Sequence, residues 1–161
     1  MNAGSRPLAQ LAASFLRVHL LAMERVFPAQ SALMEGNDLS FSQFAAVIHI
    51  YTHGPMRIAD IAEAARITDN AASRLVDRLV QAGYVSRVED PQDRRQKRVE
   101  LTPAGQALPD SLNKVAADAY RGVLTTLPTE VRERLAQTMA EVEAHLPAPA
   151  RTQLQTRRTK A

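Results

Sequence analysis

Several polar side chains recur three or four residues apart on one predicted helix and could hydrogen-bond to the edges of nucleic-acid bases. They are Asn70, Ser73, Arg74 and Arg78. Arginine can bind guanine through two hydrogen bonds, asparagine can do so with adenine, and serine can reach either base. The small side chain of Ala71 would let the backbone approach closely. The alternative is an ordinary solvated face, on which Arg74 and Arg78 repel each other and Asp77 neutralises them.

The helix that would carry these residues is predicted over residues 69–82. Thr68 is a suitable N-cap, and Asp69 would lie at the positive end of the helix dipole. Gly83 can end the helix in a left-handed conformation. The predicted buried positions share the opposite face and are Ala72, Leu75, Val76 and Leu79. A shorter helix over residues 58–65 precedes it across a tight turn, which completes a pair of helices.

A β-hairpin is predicted to follow, with strands over residues 84–88 and 97–101. Its connection, residues 89–96, is predicted to be too polar to bury. Within it, Asp93 could hold the guanidinium of Arg95 extended, which suits entry into a narrow and electronegative minor groove. The alternative is a solvated turn with a surface ion pair that contributes little.

Residues 39–105 resemble the multiple-antibiotic-resistance regulator (MarR) family of winged helix-turn-helix transcription factors. The resemblance lies in the sequence motifs LSFSQF (39–44), GPM (54–56), IADIA (58–62), SRLVDRL (73–79), GYV (83–85), DRR (93–95) and LTPAG (101–105). It implies a homodimer that binds a pseudo-palindromic operator on double-stranded DNA, acts as a repressor, and is released by a small aromatic or anionic effector. The expected fold is mainly α with a small β-hairpin wing.

The predicted DNA contacts combine the polar helix face with the wing. They are Arg57, Thr68, Asp69, Asn70, Ala71, Ser73, Arg74, Arg78, Asp93, Arg94, Arg95 and Lys97. Two positions depart from the family pattern, since Arg66 stands where glycine is common and Arg57 stands where serine or threonine is common. A left-handed Arg66 would cost on the order of 1 kcal/mol. Arg57 is either a poor helix cap or a cation that meets a DNA phosphate.

The flanking segments carry apolar stripes that predict dimerisation helices from both ends of the chain. One helix is expected over residues 6–27, where Pro28 ends or kinks it. Ser40 should cap another helix with Gln43 in a capping box. The predicted organisation is residues 1–34 for dimerisation, 35–101 for DNA binding, 102–146 for dimerisation and 147–161 as a disordered basic tail. A compact head could not cover all the stripes, so pairing with a second copy is favoured over a monomeric three-helix packing.

A few aromatic and basic groups suggest a ligand pocket. The candidate residues are Phe15, Arg17, His19, Phe41, Phe44, His49 and His53. His49 and His53 are four residues apart and can share a helix face. No further histidine, cysteine or carboxylate supplies the third and fourth ligands of a metal site. We therefore expect no metal and no cofactor, and ordinary packing histidines are the alternative to an effector pocket.

Composition limits the function classes. The 161 residues include no cysteine, which excludes a disulfide framework and thiol-based sensing, and they contain no apolar run long enough to span a bilayer. We therefore expect a cytoplasmic protein that associates with the nucleoid when bound to its operator. The formal net charge is +3, and the tail over residues 147–161 alone contains four basic and no acidic groups. The net charge is therefore weak evidence for DNA binding by the rest of the chain.

Two other function classes are alternatives to DNA binding. An enzyme is disfavoured, since neither a glycine-rich phosphate loop nor a nucleophile with its base is present. A winged-helix module that binds protein instead of specific DNA remains the alternative. Such a module would keep the apolar stripes but would not need the paired arginines of the wing or the polar helix face.

Overall fold

The computed structural model describes residues 5–90 and 97–146. Its elements in chain order are α1 (Ser5–Gly36), α2 (Phe41–His53), α3 (Ile58–Ala65), α4 (Asp69–Gln81), β1 (Val85–Glu89), β2 (Lys97–Leu101), α5 (Pro103–Leu124) and α6 (Thr129–His145). The predicted mainly α fold with a β-hairpin wing is confirmed. The described residues form two compact units, one of residues 5–32 with 112–146 and one of residues 33–90 with 97–111. No helix in these described ranges is long and apolar enough to cross a membrane.

Helix α1 is longer than the sequence predicted. It continues through Pro28 and ends at Gly36. The expectation that Pro28 ends the helix is therefore wrong, and the alternative that Pro28 kinks it stays a prediction. A proline inside a helix removes one backbone hydrogen bond, and the turns on both sides of it can still form. At the C-terminal end, the Asn37 Nδ2 donates to the carbonyl of Leu33 at 2.8 Å, and the Leu39 N–H donates to that of Met34 at 2.9 Å. These bonds satisfy carbonyls of the last turn.

The first unit has a small core. Ala22 and Val26 of α1 are buried together with Ala119 of α5, and Met23 and Tyr120 pack against them. No residue of α6 is fully buried. The helices of this unit therefore bury little of their apolar surface within one chain.

The second unit contains the larger core and begins with α2. Ser40 caps this helix as predicted, since its hydroxyl accepts from the Gln43 N–H at 3.3 Å while the Gln43 side chain accepts from the Ser40 N–H at 2.9 Å. Leu39 and Phe44, which flank this cap in the position of a hydrophobic staple, are both buried. The core residues of α2, α3, α4 and the hairpin are Phe44, Ala46, Val47, Ile50, Ile61, Ala62, Ala72, Leu75, Val76, Leu79, Val85 and Val99.

The hairpin is joined by backbone hydrogen bonds to the loop before α3. Strands β1 and β2 are antiparallel, with Val85 opposite Leu101 and Glu89 opposite Lys97. Met56, in the loop before α3, exchanges two backbone hydrogen bonds with Val99 of β2, at 3.0 and 2.7 Å. This bridge was not predicted from the sequence. It adds a third short strand segment that holds the wing against the start of α3.

Helix α5 begins tightly against the end of α4. Thr102 caps it, because its hydroxyl accepts from the Gly105 N–H at 3.1 Å and donates to the carbonyl of Gly83 at 2.6 Å. A Cβ on Gly105 would lie 1.9 Å from the carbonyl oxygen of Tyr84. Only glycine fits this close approach, which explains the glycine of the segment from Leu101 to Gly105.

Candidate nucleic-acid interface

Helix α4 is positioned by its buried face and presents its polar face outward. Thr68 caps the helix, since its hydroxyl accepts from the Ala71 N–H at 3.3 Å. The helix ends near the predicted residue: Gly83 has a φ of 77°, and the Tyr84 N–H donates to the carbonyl of Leu79 at 3.0 Å. The turn before α4 contains Arg66 in the left-handed conformation, with φ 53° and ψ 45°. This is the conformation considered above for the position at which glycine is common in the family.

The side chains predicted to reach bases lie together on this outward face. Asp69, Asn70, Arg74 and Arg78 are exposed, while Ala71 and Ser73 are half-buried. Arg74 and Arg78 form no ion pair with any carboxylate in residues 5–90 and 97–146. Their guanidinium groups are therefore available to an external partner. Thr68 is exposed but already serves as the helix cap.

An ion pair links this helix to the wing. The Arg87 Nη2 of β1 donates to the Asp77 Oδ1 of α4 at 2.7 Å, and both side chains are partly exposed. Sequence reasoning missed Arg87, because the pair forms only when the hairpin folds back against α4. The pair holds the two elements together and removes Asp77 as a neutraliser of Arg74 and Arg78.

A second charge cluster lies at the root of the wing. The side chain of Asp90 is fully buried, which contradicts the expectation that residues 89–96 are too polar to bury. Its Oδ2 accepts from the Arg98 Nε at 2.7 Å and from the Arg57 Nη2 at 3.4 Å. A buried carboxylate is stable when it is paired and hydrogen-bonded in this way. Arg57, predicted to be either a poor cap or a phosphate contact, therefore has an internal partner as well.

Arg57 is the N-cap of α3 without a capping hydroxyl. Its backbone N–H donates to the Asp60 Oδ2 at 3.0 Å, so the carboxylate of the first turn satisfies this donor. This hydrogen bond compensates for the missing capping hydroxyl.

The predicted contacts at the tip of the wing are only partly described. Lys97 is exposed at the start of β2 and faces Glu89 across the ladder. Asp93, Arg94 and Arg95 lie outside the described residues, so their predicted roles stay predictions.

The residues proposed for an effector pocket are divided between the two units. Phe15, Arg17 and His19 belong to the first unit, and Phe41, Phe44, His49 and His53 to the second. Phe44 is part of the hydrophobic core, whereas Phe41 is 70% exposed. The ring centroids of His49 and His53 are 4.2 Å apart, and the ring planes are tilted by 38°. Burial and, to a smaller extent, the neighbouring His53 lower the pKa of His49.

Two of these residues line an apolar cavity of about 850 Å³ in the first unit. Phe15 and His19 contribute to its wall, and Arg17 does not. The His19 Nδ1 and the Tyr120 hydroxyl share a hydrogen bond of 2.7 Å at its edge. The other lining residues are mainly aliphatic and come from α1, α5, α6 and the turn between α5 and α6. Among the described residues, no cluster of three or more histidine or acidic side chains could hold a metal ion.

Comparison with known proteins identifies the family. The model of the MarR family matches residues 39–97. A Bacillus cereus protein named as an uncharacterized HTH-type transcriptional regulator is 30% identical over 109 residues, which are 67% of this chain and 72% of that protein. The chain belongs to the MarR family. It is thus a helix-turn-helix transcriptional regulator of a non-enzymatic family, although it spans only about half the length of several other curated relatives.

Solved structures show the same fold. The regulator Tm0710 of Thermotoga maritima has a TM-score of 0.66 and 18% identity, covering 86% of this chain and 93% of that one. MepR of Staphylococcus aureus in a complex with DNA has a TM-score of 0.58 and 21% identity, with coverages of 84% and 99%. MepR bound to ethidium bromide has a TM-score of 0.59 and 20% identity, with coverages of 84% and 96%. The family and fold predictions made from the sequence are confirmed.

Proposed function

We propose that this MarR-family regulator is a homodimer that binds a pseudo-palindromic DNA operator with α4 in the major groove. The observation that carries the proposal is the outward face of α4, where Asn70 and Arg74 are exposed opposite a buried apolar face. The dimensions of a helix suit the major groove, and these side-chain types suit base edges. The crystal structure of MepR with DNA provides a precedent among proteins of this fold.

The homodimer is supported by the apolar surface of α1. Seven large side chains of this helix are each at least 44% exposed: Leu8, Leu11, Phe15, Leu16, Leu20, Leu21 and Phe27. So many exposed large apolar side chains on one helix are uncommon on soluble monomers. Three of these residues also line the cavity of the first unit. A second copy of this chain would cover that surface, with the two-fold symmetry that an isologous interface requires.

The wing is proposed to supply a further DNA contact. Arg95, oriented by Asp93 and next to Arg94, would enter the minor groove beside the site of α4. The supporting observation is that β1 and β2 form a two-stranded ribbon, in which the Glu89–Lys97 pair is the last before residues 90–96. Arg78 on α4 and Lys97 on β2 would contact phosphates or neighbouring bases.

The direction of control and the effector are also proposals. Bound at a promoter, such a dimer would exclude the polymerase, so we propose a repressor. A small aromatic or anionic effector would relieve it, and the supporting features are the aromatic and histidine groups at Phe15, His19 and Tyr120. MepR bound to ethidium bromide shows that a protein of this fold can hold an aromatic cation. Expression from a reporter promoter, with and without candidate phenolic acids, tests both proposals.

DNA binding is tested by measuring affinity against salt concentration. The probe is the duplex upstream of the gene, labelled with a fluorophore, and the control is a shuffled duplex of equal length. Specific binding should be tighter for the upstream duplex, and each phosphate contact should contribute about −0.9 to the slope of log affinity against log salt. Equal affinity for both duplexes with a flat salt response would contradict the proposal and favour the protein-binding alternative.

A further inference from the structure

The root of the wing contains a carboxylate that no sequence motif explained. Asp90 directly follows β1, and its side chain is fully buried. Arg98 reaches it from β2 and Arg57 from the N-cap of α3, with both guanidinium groups converging on the Oδ2 atom. The carboxylate therefore connects three segments: the end of β1, the start of β2 and the start of α3.

The position of Arg57 is electrostatically unfavourable unless it is compensated. The N-terminus of a helix carries partial positive charge, so a cation at the N-cap is disfavoured. Asp90 supplies negative charge to the guanidinium of Arg57, and Asp60 accepts from its backbone N–H. The structure thus gives a reason for an arginine at this position that does not require DNA.

The backbone reinforces the same junction. The paired hydrogen bonds between Met56 and Val99 join the residue before Arg57 to the residue after Arg98. Such a bridge fixes the distance between these two backbone segments. The side-chain cluster lies beside the bridge and adds a second connection between the same segments.

We propose that Asp90 is a positioning residue that sets the orientation of the wing for DNA binding, and that Arg57 acts as its anchor on α3. This inference rests on the proposed function, because it concerns how the wing meets the operator. It assigns Arg57 an indirect role in place of the direct phosphate contact predicted from the sequence. Two separate ion-pair clusters then hold the wing, one at Asp90 that joins it to the start of α3 and one between Asp77 and Arg87 that joins it to α4.

The first test compares Asp90→Asn with Glu89→Gln. Both substitutions remove one negative charge from neighbouring positions, and by charge alone each should strengthen DNA binding slightly. Glu89 is exposed and forms no ion pair among the described residues, whereas Asp90 is buried. Using the duplex that the wild-type chain enriches from random DNA, Asp90→Asn should weaken binding at least tenfold, while Glu89→Gln should not weaken it. Equal affinities of the two variants would overturn the inference.

The second test is a double-mutant cycle that separates an anchor from a phosphate contact. If Arg57 acts through Asp90, Arg57→Gln should weaken binding in the wild-type background and should add little in the Asp90→Asn background. If Arg57 contacts DNA directly, its loss should cost the same factor in both backgrounds. An additive cycle would therefore contradict the inference.

Footprinting supplies a readout that a general loss of structure would not give. Hydroxyl-radical protection should become diffuse at the outer flanks, where the wing lies, and persist over the half-sites read by α4. If thermal melting shows that Asp90→Asn does not fold, the same footprint is measured on Arg57→Gln. The Arg57 side chain is 43% exposed, and Asp90 keeps its bond to Arg98 when Arg57 is replaced. Protection lost only at phosphates beside the start of α3 would refute the anchor role. If the wild-type chain enriches no duplex, the proposed function has failed instead.

Discussion

The substitution Arg74→Ala tests the assignment of α4 as the helix that reads DNA. Arg74 is exposed and makes no ion pair among the described residues, so its removal should break no interaction within the chain. Alanine has the higher helix propensity, and the change also removes the like-charge pair with Arg78. The melting temperature should therefore stay the same or rise slightly.

The expected loss of affinity follows from the chemistry of the contact. One bidentate arginine–guanine contact discriminates between bases by about 1–3 kcal/mol. The proposed dimer would make two such contacts, so the specific complex should lose about 2–6 kcal/mol, which is roughly thirtyfold to twenty-thousandfold in Kd. Affinity for shuffled DNA should change far less, because phosphate contacts dominate nonspecific binding.

The assay is fluorescence anisotropy with the enriched duplex and with variants of it at each position. The matched control is Arg134→Ala, which removes the same charge from an exposed position on α6. Arg74→Ala should flatten the preference at one position in each half-site, and Arg134→Ala should leave every preference intact. An equal loss over all sequences would identify Arg74 as a phosphate contact, and no loss at all would refute the placement of α4 in the groove.

Three further predictions concern stability and assembly. Gly105→Ala should lower the melting temperature by a few degrees, because the new Cβ would collide with the Tyr84 backbone. The overpacking costs about 1–3 kcal/mol, which exceeds the gain in helix propensity. Gly36→Ala should not lower the melting temperature, since the added Cβ has no atom within 4 Å. The pKa of His49 is lowered from 6.5 in the folded chain, so the unfolded chain binds a proton more readily. The free energy of unfolding should therefore fall as the pH drops below about 6.5. Urea melts of His49→Gln should show a weaker pH dependence than those of the wild type, and identical pH dependences would contradict this. Leu20→Glu, at a side chain that is 56% exposed on α1, should dissociate the proposed homodimer in analytical ultracentrifugation, while the control Gln137→Glu on α6 should not. A Leu20→Glu variant that stays dimeric would contradict an interface on this surface of α1.

The elements of the DNA-binding unit were predictable where local signals agreed. Thr68 and Gly83 mark the two ends of α4, and the spacing from Ala72 to Leu79 identifies its buried face, so the helix lies within one residue of its predicted end. The capping box at Ser40 fixed the start of α2 in the same way. These features depend on residues within one or two turns of each other, which a sequence pattern records directly.

Other features depend on contacts between distant residues and were missed. Arg57 and Asp90 are 33 positions apart, and nothing local indicates that a carboxylate in a polar connection is buried. The bridge between Met56 and Val99 has the same origin. The end of α1 was predicted wrongly for a different reason. Proline often ends a helix, but in α1 the helical turns continue on both sides of Pro28.

The proposed function requires two α4 helices, one from each copy of the chain, to bind DNA as a pair. Selection from a pool of random duplexes with the full chain at micromolar concentration tests this directly. We predict enrichment of two related half-sites in inverted orientation, with centres about 10 base pairs or one helical turn apart. Enrichment of a single unrepeated half-site, or of no sequence at all, would contradict it.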